Sequence, residues 1–244
     1  MARYKAVLEY DGTDFFGFQR QAEERTVQGE VEAALSRIGW VGTTILGAGR
    51  TDTGVHAAGQ VIAFDLEWGH EPDDLLRALN ANLPVDAAVK NLAPCSPDFH
   101  PRYQARGRHY RYTIYNWPAR SPLAARYAWQ VWPALNLNTL REASVLLLGR
   151  HDFAAFGSDP DQGVNTVRTV SRAEWTQGGE WFYFDIQAEA FLYRMVRSLV
   201  GALKKVGLGE WTFGEFAALL HSRDRAKGPP IAPAHGLCLV EIIY

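Results

Sequence analysis

The sequence predicts an α+β fold built from two ferredoxin-like, split βαβ halves that share a mainly antiparallel sheet flanked by helices. Three observations lead to this prediction. Apolar residues alternate with a period of two in several short segments, which is typical of strands. Other segments repeat apolar residues every three or four positions and carry helix start and stop signals. The order strand, helix, strand, strand, helix, strand in the first half is followed by a variation on it in the second half.

The first half begins with a strand at residues 3–10, where aromatic and aliphatic residues alternate. Thr26 is placed to cap a helix with one apolar face, and Gly39 is placed to end that helix. Pro72 suits the first turn of a second helix. Three further strands are predicted, at residues 43–46, 60–66 and 87–93.

The second half repeats the alternation of strands and helices with longer segments. Its predicted elements are a strand at residues 108–115, a helix capped near Asn138 and ended by Gly149, a hairpin at residues 169–187 that turns at Gly178 and Gly179, a helix at residues 191–206, a helix after a capping box at Thr212, and a strand at residues 237–244. We therefore expect two domains, residues 1–103 and residues 104–244.

Composition excludes several classes of protein. The 244 residues contain no apolar run that approaches the ~18 residues of a membrane span, and the N-terminus lacks the apolar stretch of a signal peptide. The two cysteines, Cys95 and Cys238, lie far apart without partner histidines at metal-ligand spacing. We expect a cytoplasmic protein with reduced thiols, no membrane association and no metal site.

Charge is unevenly distributed along the chain. The formal net charge is −2, which argues against a nucleic-acid-binding protein. However, residues 99–141 contain no Asp or Glu and include seven arginines, Arg102, Arg106, Arg108, Arg111, Arg120, Arg126 and Arg141. Such segregation is typical either of a local basic surface that binds nucleic acid or of an arginine-rich solvated region. Composition alone leaves both interpretations open.

The sharpest local feature is the glycine-rich segment at residues 47–54, which contains Asp52. A dinucleotide-binding fingerprint would need glycine in place of Asp52, and a P-loop would need lysine in place of Val55. Glycines let the chain turn sharply and let a substrate approach. The nearby Arg50 favours an ionised carboxylate that is available as a nucleophile. On local chemistry alone, however, an ordinary turn in which Asp52 bonds nearby amides is the favoured interpretation.

A wider comparison of motifs changes this interpretation, because residues 50–57 resemble the signature loop of the TruA family of tRNA pseudouridine synthases. Further matches follow in the family's order over almost the whole chain. They are residues 10–13 and 17–21 at the start, residues 26–30, residues 99–103 and 108–112 in the middle, residues 191–201, and residues 232–237 near the end. Several ordered motifs are far more specific than one glycine-rich loop.

The resemblance implies an enzyme that isomerises uridine to pseudouridine in the anticodon stem-loop of tRNA. The base leaves the ribose at N1, rotates and reattaches through C5, so the reaction requires no cofactor. The family works as a homodimer with one tRNA lying across both subunits. A near-neutral monomer can then form a basic cleft by bringing two arginine-rich faces together.

The resemblance also assigns roles to four residues. Asp52 stands at the position of the nucleophile, and Arg50 beside it fills the space that a flipped-out uridine leaves. Tyr110 stacks on the uracil and can assist removal of the C5 proton. Arg197 pairs with Asp52 and keeps it ionised. The purely structural alternatives are an ion pair for Arg50 and core packing for Tyr110.

Other polar residues receive supporting roles. His56 is expected to be a structural histidine rather than a general base, and a regular strand is expected to place Arg108 and Arg111 on the face opposite Tyr110. Five arginines are expected to contact backbone phosphates of the RNA. They are Arg20, Arg25, Arg102, Arg106 and Arg108.

Two other functions remain compatible with the residues themselves. An RNA-binding module would bind tRNA and leave its uridines unchanged. A glycosidase or nucleobase glycosylase would also break a bond at an anomeric carbon, but retaining glycosidases need a second carboxylate, and no such partner lies near Asp52 in the sequence.

Overall fold

The computed structural model describes residues 1–158 and 165–244, which form two compact units. Unit 1 comprises Met1–Arg106 and Cys238–Tyr244, and unit 2 comprises Gly107–Leu237. The predicted boundary after residue 103 is close to this division. The C-terminal strand, however, was predicted within the second domain and instead belongs to unit 1, because it pairs with a strand of that unit.

Ten strands and five helices occupy the described ranges. In chain order they are β1 (Ala2–Tyr10), α1 (Val27–Arg37), β2 (Leu46–Gly47), β3 (His56–Leu66), α2 (Pro72–Asn82), β4 (Ala87–Pro94), β5 (Gly107–Tyr115), β6 (Trp129–Gln130), α3 (Leu137–Val145), β7 (Gly149–Asp152), β8 (Val167–Gly178), β9 (Trp181–Ala188), α4 (Met195–Gly207), α5 (Phe213–Ser222) and β10 (Leu237–Ile243). None of these helices has the length and apolar character needed to span a membrane.

Unit 1 is a mainly antiparallel sheet with helices α1 and α2. Strand β1 lies between β3 and β4 and is antiparallel to both. Strand β10 runs parallel to β3, while the short β2 is antiparallel to it. The predicted strand at residues 43–46 is therefore reduced to Leu46–Gly47, and the strand predicted at residues 60–66 begins earlier, at His56.

Unit 2 contains a second antiparallel arrangement, in which β5, β9, β8 and β7 lie side by side. The very short β6 pairs with β5 in parallel, and neither β6 nor β7 was predicted. Helix α3 packs on β8 and on α4. The indole N–H of the buried Trp175 donates to the hydroxyl of Ser144 at 3.0 Å, so this large ring is both packed and hydrogen-bonded. The α+β class and the mainly antiparallel pairing are confirmed in each unit.

The helix caps explain where several elements begin. Thr26 accepts a hydrogen bond from the Gly29 amide, as predicted, and Thr212 forms the predicted capping box with Glu215. The cap of α3 is Asn136 rather than Asn138, because the Asn136 side chain accepts from the amides of residues 138 and 139. Short polar side chains favour caps at either position, so the sequence did not separate the two.

The start of α4 also differs from its prediction. The apolar pattern predicted a helix from residue 191, but the helix begins at Met195. Its N-cap, Arg194, has a left-handed backbone with φ of 61°. A non-glycine residue in this conformation is uncommon, and it ends the preceding segment, which carries Phe191 and Tyr193.

Candidate active site

The glycine-rich loop of unit 1 is held by residues that lie far from it in the sequence. The hydroxyl groups of Tyr10 and Thr51 share a buried hydrogen bond of 2.8 Å. The Phe18 amide donates to the Thr51 carbonyl at 3.1 Å. On the other side of the loop, the Gln60 side chain donates to the Gly49 carbonyl at 2.9 Å. The part of the loop just before Asp52 is therefore anchored to the strands β1 and β3 and to the segment after β1.

Two glycines allow the chain to close tightly around Asp52. The Val55 amide donates to the Asp52 carbonyl at 3.1 Å, and Gly54 between them has a φ of +78°, as the third position of a type II turn requires. Gly17, with a φ of +86°, lies directly against the same loop. A Cβ atom at Gly17 would come within 2.8 Å of the Thr51 carbonyl oxygen. The position of Asp52 thus depends on the absence of a side chain at Gly17.

His56 has the structural role that its sequence context predicts. It is buried, and its Nδ1 accepts a hydrogen bond of 2.9 Å from the Gly12 amide. The carboxylate of Asp11 lies 3.1 Å from the same nitrogen. Because an Nδ1 that accepts from an amide carries no proton, we assign the ring proton to Nε2 and do not regard the contact with Asp11 as an ion pair. His56 connects the end of the loop to the segment after β1.

Asp52 and Arg50 lie in this loop with different exposure. Asp52 is half-buried, whereas Arg50 is exposed. In the described part of the chain, Arg50 makes no hydrogen bond or ion pair. A rigid backbone thus presents a partly desolvated carboxylate close in sequence to an unengaged cation. Within the same described ranges, no group of three His, Cys, Asp or Glu side chains is arranged to hold a metal ion.

Tyr110 lies in β5 of unit 2 and is half-buried. Its ring meets the ring of Phe191 edge to face, with centroids 5.1 Å apart. Strand β5 pairs with β9 without a break in register from Arg108 to Tyr115. Arg108 therefore lies on the same face as Tyr110, because side chains two residues apart share a face. The expectation that Arg108 lies opposite Tyr110 was wrong, while Arg111 does lie opposite.

Arg197 is held by the segment at residues 229–236, which we call the strap. The Nε–H of Arg197 donates to the Ala232 carbonyl at 2.8 Å, and the Ala232 amide donates to the Arg197 carbonyl at 3.0 Å. This pair of hydrogen bonds fixes the guanidinium through Nε. The other four N–H groups of an arginine side chain lie on its two terminal nitrogens. With Nε engaged by the strap, a bidentate contact from Arg197 to a carboxylate would use the two terminal nitrogens.

Tyr112 supports the strap and was not identified from the sequence. Its hydroxyl donates to the Pro233 carbonyl at 2.9 Å, one residue from the carbonyl that holds Arg197. Burial raises the pKa of Tyr112 well above its ordinary value, and the nearby Arg197 opposes this rise. Tyr112 therefore remains a neutral donor. An alternating strand predicted a buried residue here, but its strap partner lies 121 residues away in the sequence.

Two of the five arginines expected to contact phosphate are engaged in ion pairs within unit 1. Arg20 donates to Glu32 at 2.7 Å. Arg25 makes two hydrogen bonds to Asp86, at 2.7 and 2.8 Å, and another to Glu30. The hydrogen bonds with Asp86 raise the pKa of Arg25 and lower the pKa of Asp86, although burial opposes both shifts. Arg25 therefore has a structural role whether or not it contacts RNA.

The other three arginines are placed differently. Arg102 and Arg106 are exposed, at the end of the first stretch of unit 1. Arg108 is half-buried and donates through Nη1 to the Glu189 carbonyl at 2.6 Å. Of the residues predicted from the sequence, the structure thus places Asp52, Arg50, Arg20, Arg25, Arg102 and Arg106 in unit 1 and Tyr110, Arg197 and Arg108 in unit 2.

Comparison with known proteins identifies the class to which this chain belongs. The sequence model of the tRNA pseudouridine synthase family matches residues 6–104 and 143–244. The chain therefore belongs to the tRNA pseudouridine synthase family, and it is an isomerase that acts on tRNA.

Individual relatives are similar over nearly their whole length. A tRNA pseudouridine synthase A from Pseudothermotoga lettingae is 42% identical over 100% of both chains. One from Syntrophotalea carbinolica is 41% identical over 100% of this chain and 97% of the relative. One from Neisseria meningitidis serogroup B is 40% identical over 99% of this chain and 92% of the relative. The resemblance seen in the motifs thus extends along the entire sequence.

Proposed function

We propose that this protein converts uridine to pseudouridine in the anticodon stem-loop of tRNA, with Asp52 as the nucleophile. The observation that carries the proposal is the loop around Asp52, which is anchored through Tyr10, Phe18 and Gln60. A carboxylate on such a loop needs little reorganisation before it attacks, and preorganisation of this kind lowers the barrier of a reaction.

The reaction conserves all atoms of the substrate. Asp52 forms a covalent bond to the uridine, and the N1–C1′ bond breaks. The uracil rotates, C5 bonds to C1′, the C5 proton leaves, and N1 finally gains a proton. The carboxylate departs when the adduct collapses, so neither a cofactor nor an energy donor is consumed.

Three other residues are assigned to the handling of the extruded base. Arg50, exposed beside Asp52, occupies the space that the flipped uridine leaves in the RNA. Tyr110 stacks on the uracil with the ring that packs edge to face with Phe191. Arg197, held at Nε by the strap, uses its terminal nitrogens to pair with the Asp52 carboxylate and orient it.

The surrounding arginines bind the RNA backbone. Arg102 and Arg106 are exposed and suited to phosphate contacts. Arg20 and Arg108 can contribute because each guanidinium carries five N–H donors, whereas the carboxylates around Arg25 compete with phosphate for its donors. We further propose that the protein acts in the cytoplasm as a homodimer, since two copies provide the positive surface that one chain with a net charge of −2 lacks.

Modification of a defined tRNA tests this function. Unmodified tRNA is incubated with the protein, treated with carbodiimide and read by primer extension, which detects pseudouridine at single positions. We expect stops at uridines of the anticodon stem-loop. Asp52→Asn should reduce pseudouridine formation by ~10⁴-fold or more, because an amide cannot replace the nucleophile, and it should bind tRNA nearly as tightly as the wild type.

The alternative functions give different results in the same experiment. Binding of tRNA without any pseudouridine would indicate an RNA-binding module. Release of free uracil would indicate a glycosylase. Substantial turnover by Asp52→Asn would remove Asp52 from the mechanism, even if the wild-type protein forms pseudouridine.

A further inference from the structure

Phe16 is an exposed aromatic residue in a segment whose other aromatic residues are buried. Phe15 and Phe18 are 1% and 4% exposed, whereas Phe16 is 48% exposed. Burial of an aromatic ring is favourable, so a half-exposed phenyl ring offers a surface for an apolar, planar partner. None of the roles described above uses this ring.

The backbone of Phe16 is fixed on both sides. Its amide donates to the Arg25 carbonyl at 2.9 Å, and its carbonyl accepts from the Gln21 side chain at 2.9 Å. Arg25 is itself held by its paired hydrogen bonds with Asp86. A ring attached to such a backbone loses little conformational entropy when a ligand packs on it.

The same segment lies against the loop that carries Asp52. The Gly54 amide donates to the Phe15 carbonyl at 3.4 Å, and the Phe18 amide donates to the Thr51 carbonyl at 3.1 Å. A Cβ atom built on Gly17 would lie 3.4 Å from the Asp52 carbonyl carbon. Since neighbouring Cα atoms are about 3.8 Å apart, the Cα of Phe16 lies no more than about 9 Å from that carbon.

We propose that Phe16 is a stacking platform for a nucleobase of the tRNA that flanks the target uridine. The proposal rests on the proposed function, because it requires RNA to be bound at Asp52. An uncharged phenyl ring recognises the face of a base rather than a phosphate, and such stacking tolerates any base. Any occupant of this surface must fit beside the substrate, and the part of the substrate nearest to the target uridine is its adjacent nucleotide.

Substitutions of Phe16 test the aromatic requirement. Phe16→Ala should lower kcat/KM for pseudouridine formation by about five- to 150-fold, the range expected when one stacked base loses its ring. Phe16→Tyr should keep wild-type activity, because tyrosine retains the aromatic ring. Phe16→Leu should be impaired, because the leucine side chain is apolar but has no π face. The matched control is Phe213→Ala, since Phe213 is 49% exposed, similar to Phe16, and belongs to unit 2.

The outcomes distinguish stacking on the ring from a general apolar contact and from a loss of folded protein. Phe16→Ala within twofold of the wild type would overturn the proposal, and so would full activity of Phe16→Leu. Thermal unfolding of each variant measures any loss of folded protein. Because Phe16→Tyr keeps the ring, its activity reports on the platform even if Phe16→Ala is less stable.

Changes in the RNA identify the stacked base. Stem-loop substrates are prepared with an abasic nucleotide at each position next to the target in turn. At the stacked position, the loss caused by Phe16→Ala should disappear, because the base that the ring contacts is already missing. No such coupling at any flanking position would overturn the proposal. Failure of the proposed function is distinguishable, since the wild-type protein would then form no pseudouridine on the intact substrate.

Discussion

The loop that carries Asp52 and the strap that holds Arg197 position opposite charges by different means. The loop is held mainly through its backbone and through Gly17, which packs against it without a side chain. The strap holds one particular side-chain atom, the Nε of Arg197, and is in turn held by the hydroxyl of Tyr112. The carboxylate therefore depends on the shape of the chain around it, whereas the guanidinium depends on specific donors and acceptors.

This comparison predicts the largest effect for a change of shape beside the loop. Gly17→Ala should reduce kcat by about 100-fold or more, because a Cβ atom 2.8 Å from the Thr51 carbonyl oxygen must displace the loop, and a shift of about 1 Å in a reacting group has an effect of this size. Pseudouridine formation under single-turnover conditions, normalised to folded protein, measures it.

The matched control is Gly39→Ala. Gly39 has a φ of +93°, but a Cβ atom there would meet nothing within 4 Å. Both variants should lose about 1–2 kcal/mol of stability from the left-handed backbone, and only Gly17→Ala should lose activity beyond that. Equal specific activities of the two variants would show that contact with the loop does not position Asp52.

A smaller effect is expected for a change in the donor at the strap. Arg197→Lys keeps the charge but removes the Nε–H that donates to Ala232 and the planar pair of terminal nitrogens. We expect a loss of about 10- to 100-fold in kcat/KM, as is typical of hydrogen bonds that involve charged groups. Arg194→Lys, three residues earlier, is the control and should remain near the wild type. Wild-type rates for Arg197→Lys would mean that charge alone is sufficient.

The smallest effect is expected for the residue that holds the strap. Tyr112→Phe removes the hydrogen bond to the Pro233 carbonyl, so it should cost about 1 kcal/mol of stability and lower kcat by about three- to tenfold with little change in KM. Tyr244→Phe is the matched control, because the Tyr244 hydroxyl donates to the Pro101 carbonyl in unit 1. It should lose similar stability and keep its kcat. A matching fall in kcat for both variants would contradict a role for Tyr112 in positioning Arg197.

The sequence predicted features set by neighbouring residues more accurately than features that depend on contacts with distant segments. The caps at Thr26 and Thr212 were correct because each depends on residues within three positions. The predicted start of α4 was wrong because the apolar period continues through residues 191–194, whereas the backbone becomes left-handed at Arg194. Strand β7 was missed because its four residues lack an alternating apolar pattern and it forms by pairing with β8.

The same distinction applies to the candidate active site. Asp52 and its glycine-rich loop were recognisable from a continuous motif, and Tyr110 and Arg197 from motifs later in the chain. The phosphate-binding role of Arg25 was inferred from its charge, but the structure shows that charge engaged with Asp86, 61 residues away in the sequence. Tyr112 was missed because its partner in the strap is even more distant.

The sequence by itself therefore predicted the α+β class, most helices and strands, and Asp52 as the candidate nucleophile. Only the tertiary structure decided which residues hold that carboxylate, which arginines are occupied by acidic partners, and where the C-terminal strand lies. The physical reason is the separation along the chain of the residues that determine each feature. Periodicity and capping depend on neighbouring residues, whereas the bonds from Tyr10 to Thr51 and from Tyr112 to Pro233 form only after distant segments of the chain have packed together.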